Sequence, residues 1–112
     1  MSDRGAETQV FGALRVEPSQ RLLCYEDKRA KLGMHELNLL TFLLRHRDRV
    51  VSYKQLNSHI WGLNQPDLTR RLSLTILRLR RKLIAKHIDE IQISNIGGIG
   101  YRARISTNVP SP

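Results

Sequence analysis

Arg70, Leu74, Leu77, Arg78 and Arg81 recur at spacings that gather them on one side of an α-helix. Guanidinium groups set around two bare leucines suit a phosphate backbone with base edges behind it. Between Asp67 and Asp89 the chain holds seven Arg and Lys residues and no acid. Within that run Leu72, Ile76, Leu79 and Leu83 have the 4, 3, 4 spacing of one helix face. At about 100° per residue they fall within about 60° of one another. Such a helix buries one side and shows arginines on the other. A charge run usually marks only a solvated face, so the surrounding elements decide whether this one meets an anion.

The chain of 112 residues is expected to form one domain with a modest core. Hydrophobic residues make up 40% and charged residues 26%, a globular balance. The net charge of +9 biases the partner toward something anionic: nucleic acid, an anionic membrane or an acidic protein. No apolar run approaches the roughly 18 residues needed to span a bilayer. Met1–Gln9 is polar and charged, and is expected to be a flexible lead-in, neither signal peptide nor anchor. Cys24 is the single cysteine, so no internal disulfide framework exists and a cytoplasmic, reducing compartment is expected.

The elements that must position the basic helix read in order. Residues 10–16 suit a short strand, residues 17–20 a turn, and residues 21–25 and 29–32 two more strands, a small antiparallel sheet. Gly33 then opens a helix over Met34–His46, with Leu37, Leu40, Phe42, Leu43 and Leu44 as core. Glu36 sits three residues beyond the cap, where it favours the positive end of the helix dipole. Ser52-Tyr53-Lys54-Gln55 has the pattern of a capping box and starts a second helix, with Leu56, Ile60 and Trp61 inward and Gly62 as its stop. A loop over residues 63–68 leads to the third helix, about Thr69–Lys86, capped by Thr69 or Asp67. Glu90–Ser94 alternates as a strand, Gly97, Gly98 and Gly100 make a sharp hairpin, and Tyr101–Ile105 returns. Residues 106–112 are expected to be a flexible tail. Strands, three helices and a hairpin, in that order, are an α+β layout: a winged helix-turn-helix, with the hairpin as wing beside a recognition helix.

Five segments then resemble one family. Leu32-Gly-Met-His-Glu-Leu-Asn-Leu-Leu40, Arg49-Val-Val-Ser52, Leu56 through Ile60-Trp61-Gly62, Leu79-Arg-Arg-Lys-Leu83 and Gly98-Ile-Gly-Tyr-Arg102 closely resemble, in order and in register, the DNA-binding domain of the OmpR/PhoB response regulators. The likeness spans about residues 11–105, within an expected domain of residues 10–105. It implies a four-stranded N-terminal sheet, three helices and a wing. It further implies transcription regulation in a bacterial two-component system, by binding tandem direct repeats of promoter DNA as a head-to-tail dimer. The third helix would enter the major groove and the wing the adjacent minor groove. The loop Leu63, Asn64, Gln65, Pro66 and Asp67 would touch RNA polymerase.

Residue by residue, the resemblance puts Arg70 at a phosphate-contacting position and Ser73, Leu74, Leu77 and Arg78 where family members meet bases. Arg80 takes a backbone-contacting position, and Arg71 and Arg81 join the DNA-binding set. Tyr101 is the wing tyrosine, assigned to packing or a phosphate contact. An arginine often precedes the Gly-x-Gly-Tyr run; here that position is Gly97, so minor-groove reading would fall to Asn95 or Arg102. Leu74 and Leu77 are more apolar than the usual base-facing mixture. No receiver domain is present in this chain, so a phosphorylation switch is not part of the reading.

Other features have ordinary explanations. Thr75 lies toward the flank of the helix and ranks low as a contact. Arg81 and Lys82 are weaker phosphate candidates than Arg70 or Arg78. Trp61, at a helix end beside Ile60, suits core packing better than base stacking. The four histidines are far apart in sequence and none has ligand-spaced partners, so neither metal nor cofactor is expected. No nucleophile and base pattern appears, and no catalysis is assigned. Two rival functions remain: a winged-helix protein-interaction module with weak nucleic-acid binding, favoured by the exposed leucines, and RNA binding, for which no aromatic stacking platform is visible.

Overall fold

The computed structural model describes residues 7–62 and 69–106. The lead-in before residue 7, the residue 63–68 loop with its expected cap at Asp67, and the tail after Ser106 lie outside the described residues; so does the side chain of Thr69. Four strands open the fold: β1 (Gln9–Phe11), β2 (Leu14–Glu17), β3 (Leu22–Tyr25) and β4 (Lys28–Lys31). They pair antiparallel in sequence order as a meander. The single strand expected over residues 10–16 is thus two strands. Phe11 pairs with Leu14, and Gly12-Ala13 turns between them. Gly12 has φ +61°, a backbone that favours glycine, and this one residue reverses the chain inside what reads as continuous strand.

The inner face of this sheet carries Phe11, Leu14, Val16, Leu23 and Ala30, all buried. On the other face Arg15, Cys24 and Arg29 align in register. The Cys24 thiol is buried and donates to Glu17 Oε2 at 3.3 Å. Burial, and then the Glu17 carboxylate, push the thiol pKa up. The thiol's hydrogen bond, with that of Arg15, holds the Glu17 carboxyl below its ordinary range. Cys24 is therefore a poor nucleophile in the folded protein.

Helix α1 (Met34–Arg45) is the centre of the molecule. Leu37, Leu39, Leu40, Leu43 and Leu44 are buried together, on one face about 160° wide. Phe42, expected in the core, is half-buried. Its ring lies 4.6 Å from that of His46 and 4.2 Å from that of His59. Burial, with Arg45 and His46 nearby, lowers the His59 pKa. Glu36 Oε1 accepts the Gly33 backbone N–H at 2.9 Å, closing the first turn.

Val51–Ser52 forms a further strand, β5, which is not among the strands expected from the sequence. Ser52 then caps α2 (Tyr53–Trp61): its hydroxyl accepts from the Gln55 N–H at 3.1 Å, and Gln55 Oε1 accepts from the Ser52 N–H at 3.1 Å. Helix α3 (Thr69–Ala85) follows, then β6 (Ile91–Ile96) and β7 (Gly100–Ile105). The last two form the expected hairpin, and β7 also pairs with β5, giving a second sheet ordered β5-β7-β6. Two residues of β5 are too few to show a period in sequence, and the partner that makes them a strand lies about fifty residues downstream in β7.

Candidate nucleic-acid interface

Helix α3 presents two unlike faces. Leu72, Ile76, Leu79 and Leu83 are buried to within a few per cent and join the core shared with α1 and α2. That face anchors the helix; each leucine or isoleucine so buried contributes about 1.5–3 kcal/mol. Opposite, Arg70, Arg71, Ser73, Arg78 and Arg81 are exposed. Leu74 and Leu77 lie among them, 42% and 40% exposed. Leu77 therefore does not widen the buried stripe. Thr75 is buried, and its hydroxyl donates to the Arg71 carbonyl at 2.9 Å, which removes it from the surface.

Not every cation of the run is on the open face. Lys82 Nζ bonds Glu36 Oε1 at 2.6 Å and ties α3 to the first turn of α1. Arg80 is half-buried and donates through Nη2 to the Ile93 carbonyl of β6, holding the wing against the helix. Arg71 places its guanidinium 5.5 Å from the centre of the Trp61 ring, which covers the end of α2. Trp61 is half-buried and packed against the core, with the His35 ring edge-on at 5.4 Å.

The wing also meets α3 at its N-terminal half. Tyr101 on β7 is buried, and its hydroxyl lies 3.5 Å from Ser73 Oγ, a weak contact at most. Its ring stands edge-on to Tyr53 at 5.6 Å. The Tyr53 hydroxyl donates to Asn95 Oδ1 on β6 at 2.7 Å. Ser73, Asn95 and Tyr101, picked separately from sequence, are thus brought to one junction. Tyr53, the residue that links α2 to the wing there, is not among the site residues expected from the sequence. The only sequence signal for it is its place straight after the capping serine. Arg102 is half-buried on β7, and its Nε has no hydrogen-bond partner among the described residues.

Glycine at 100 is dictated by close approach. A Cβ there would stand 1.8 Å from the Val51 carbonyl oxygen, so only glycine lets β7 lie against β5. Gly97 is different: a Cβ there meets nothing within 4 Å and its φ is not in the left-handed region. The fold therefore permits a side chain where the wing arginine is often found.

A family model for the C-terminal region of transcriptional regulatory proteins matches residues 27–103. The chain belongs to that family, the OmpR/PhoB-type output domains. The match runs from β4 into β7 and takes in α3 and the wing junction. The phosphate regulon transcriptional regulatory protein PhoB of Klebsiella pneumoniae is 34% identical over 89 residues, which cover 80% of this chain and 38% of PhoB. Among solved structures, the DNA-binding domain of CpxR from Escherichia coli is 26% identical, with a TM-score of 0.68 over 89% of this chain and 97% of that one. The Klebsiella pneumoniae RstA DNA-binding domain, solved in complex with the RstA box, shares the fold at TM-score 0.70 and 22% identity, over 89% of this chain and 97% of that one. The chain spans less than half the length of the curated relatives it matches. Among the described residues, no helix of this OmpR/PhoB-type domain is long and apolar enough to cross a membrane.

Proposed function

We propose that the chain is the DNA-binding output domain of a bacterial transcription regulator, binding duplex promoter DNA sequence-specifically with α3 in the major groove. The observation that carries this reading is the open face of α3: exposed Arg70, Arg71, Arg78 and Arg81 around Leu74 and Leu77, on a helix whose other side is locked in the core. Arg70 and Arg78 are the first choice for phosphate and base contact, and Arg78 can fork onto guanine O6 and N7. Ser73 sits at the edge of this face. On the wing, Asn95 and Arg102 are the polar candidates, and Tyr101 acts through packing against Tyr53. Arg80 acts first on the wing through Ile93; a phosphate contact would use the rest of its guanidinium.

The family supports further steps of the same reading. Two copies would lie head to tail on direct repeats, residues 63–67 would contact RNA polymerase, and the protein would work in the cytoplasm as part of a two-component system. Neutralising Z phosphates gives a salt slope near −0.9Z in log K against log salt. The test is a titration with promoter duplex, random duplex and single-stranded RNA at two salt concentrations. Preference for one duplex sequence supports the reading. Equal affinity for all three nucleic acids sinks it. A second reading, a protein-interaction module with weak DNA binding, draws on the exposure of Leu74 and Leu77. It expects no duplex preference at either salt.

A further inference from the structure

We propose that Leu74 and Leu77 read the 5-methyl groups of thymines, so that the site this protein selects contains thymines recognised by apolar contact. The inference rests on the duplex-DNA reading above. Both leucines stand well clear of the core, at 42% and 40% exposure, and are three residues apart on one helical face. Arg70, Arg78 and Arg81 share with them an arc of about 100°, so a polyanion is the partner whose charge complements this face. In the major groove of duplex DNA the one apolar group on a base edge is the thymine methyl. Cytosine offers an amino donor at the neighbouring position, which a leucine would cover without accepting its hydrogen bond. Two leucines therefore favour thymine twice over, by what they bury and by what they leave unpaired.

The spacing adds a geometric expectation. Leu74 and Leu77 are separated by about 4.5 Å along the helix axis, near the roughly 3.4 Å of one base step. They reach adjacent base pairs. Arg78, next to Leu77 in sequence and beside Leu74 on the helix, reads a neighbouring guanine. A half-site with consecutive thymines beside a guanine is the expected result.

The experiment begins by selecting bound sites from randomised duplexes with the full chain. Each thymine of the selected site is then replaced in turn by deoxyuridine, which removes the methyl and keeps the base pair. Affinities are compared at one salt concentration. Removing one buried methyl is expected to weaken binding about four-fold at one or two positions. In Leu74→Ala or Leu77→Ala, thymine and deoxyuridine at the matching position should bind alike. Equal affinity for both bases at every position, with a site clearly selected, overturns the inference and leaves duplex recognition standing. Leucine variants that keep full affinity and full methyl sensitivity also overturn it, and turn these side chains toward a protein contact. Failure to select any duplex overturns the function itself.

Discussion

The two faces of α3 carry the same residue type to opposite ends. Leu72 and Leu79 are fully buried, whereas Leu74 and Leu77 stand about two-fifths exposed on the same helix. On the inner face a leucine has partners on α1 and α2 and holds the helix in place. On the outer face it has arginines for neighbours and nothing to bury against. Hydrophobicity alone therefore says nothing about role; the angle around the helix axis does.

The largest expected effect separates the faces directly. Leu79→Ala should cost about 2–5 kcal/mol in denaturant unfolding, since it leaves a cavity in a fully buried site. Leu74→Ala should stay within about 0.5 kcal/mol of the parent in the same measurement. Comparable losses from both would break the contrast. Next comes the wing that borders the outer face. Gly100→Ala drives a methyl into the Val51 carbonyl and should destabilise the protein by about 1–3 kcal/mol. Hydrogen exchange should show the loss concentrated in β5 and β7, and a uniform loss would argue that the pairing there is not the weak point.

Smaller effects sort the cations. Arg70→Ala should lower the magnitude of the salt slope of DNA binding by about 1, and Arg78→Ala should cost about 1–3 kcal/mol of binding and relax the preference at one base pair, both with little change in melting temperature. Lys82→Gln should do the reverse: the slope is unchanged, and stability falls by at most about 1 kcal/mol from loss of a partly exposed pair with Glu36. A slope change in Lys82→Gln would place that residue on the DNA face. The smallest effect expected is chemical. Cys24 should react with an alkylating reagent far more slowly in the folded protein than in the unfolded chain, because burial raises its pKa and shields it.

Much of this was legible in sequence. The periodicity of Leu72, Ile76, Leu79 and Leu83, the Ser52–Gln55 capping box and the glycine hairpin each depend on neighbours a few residues away, and each appears in the structure. What escaped depends on distant chain. The Gly12-Ala13 reversal hides within a strand-like run, and β5 exists only because β7 comes back to it. The same is true of the site. The arginines could be counted in sequence, but nothing local says that Lys82 is taken by Glu36, that Arg80 is turned to Ile93, or that Tyr53 reaches Asn95.

The sequence by itself determined the order of the three helices and the hairpin, the amphipathic α3 and its excess of positive charge, because helical period and charge are properties of a single segment. Only the tertiary structure decided which cations stay open and how the wing root sits on α3. Those outcomes rest on hydrogen bonds and close approaches between residues far apart in the chain, and no local pattern encodes them.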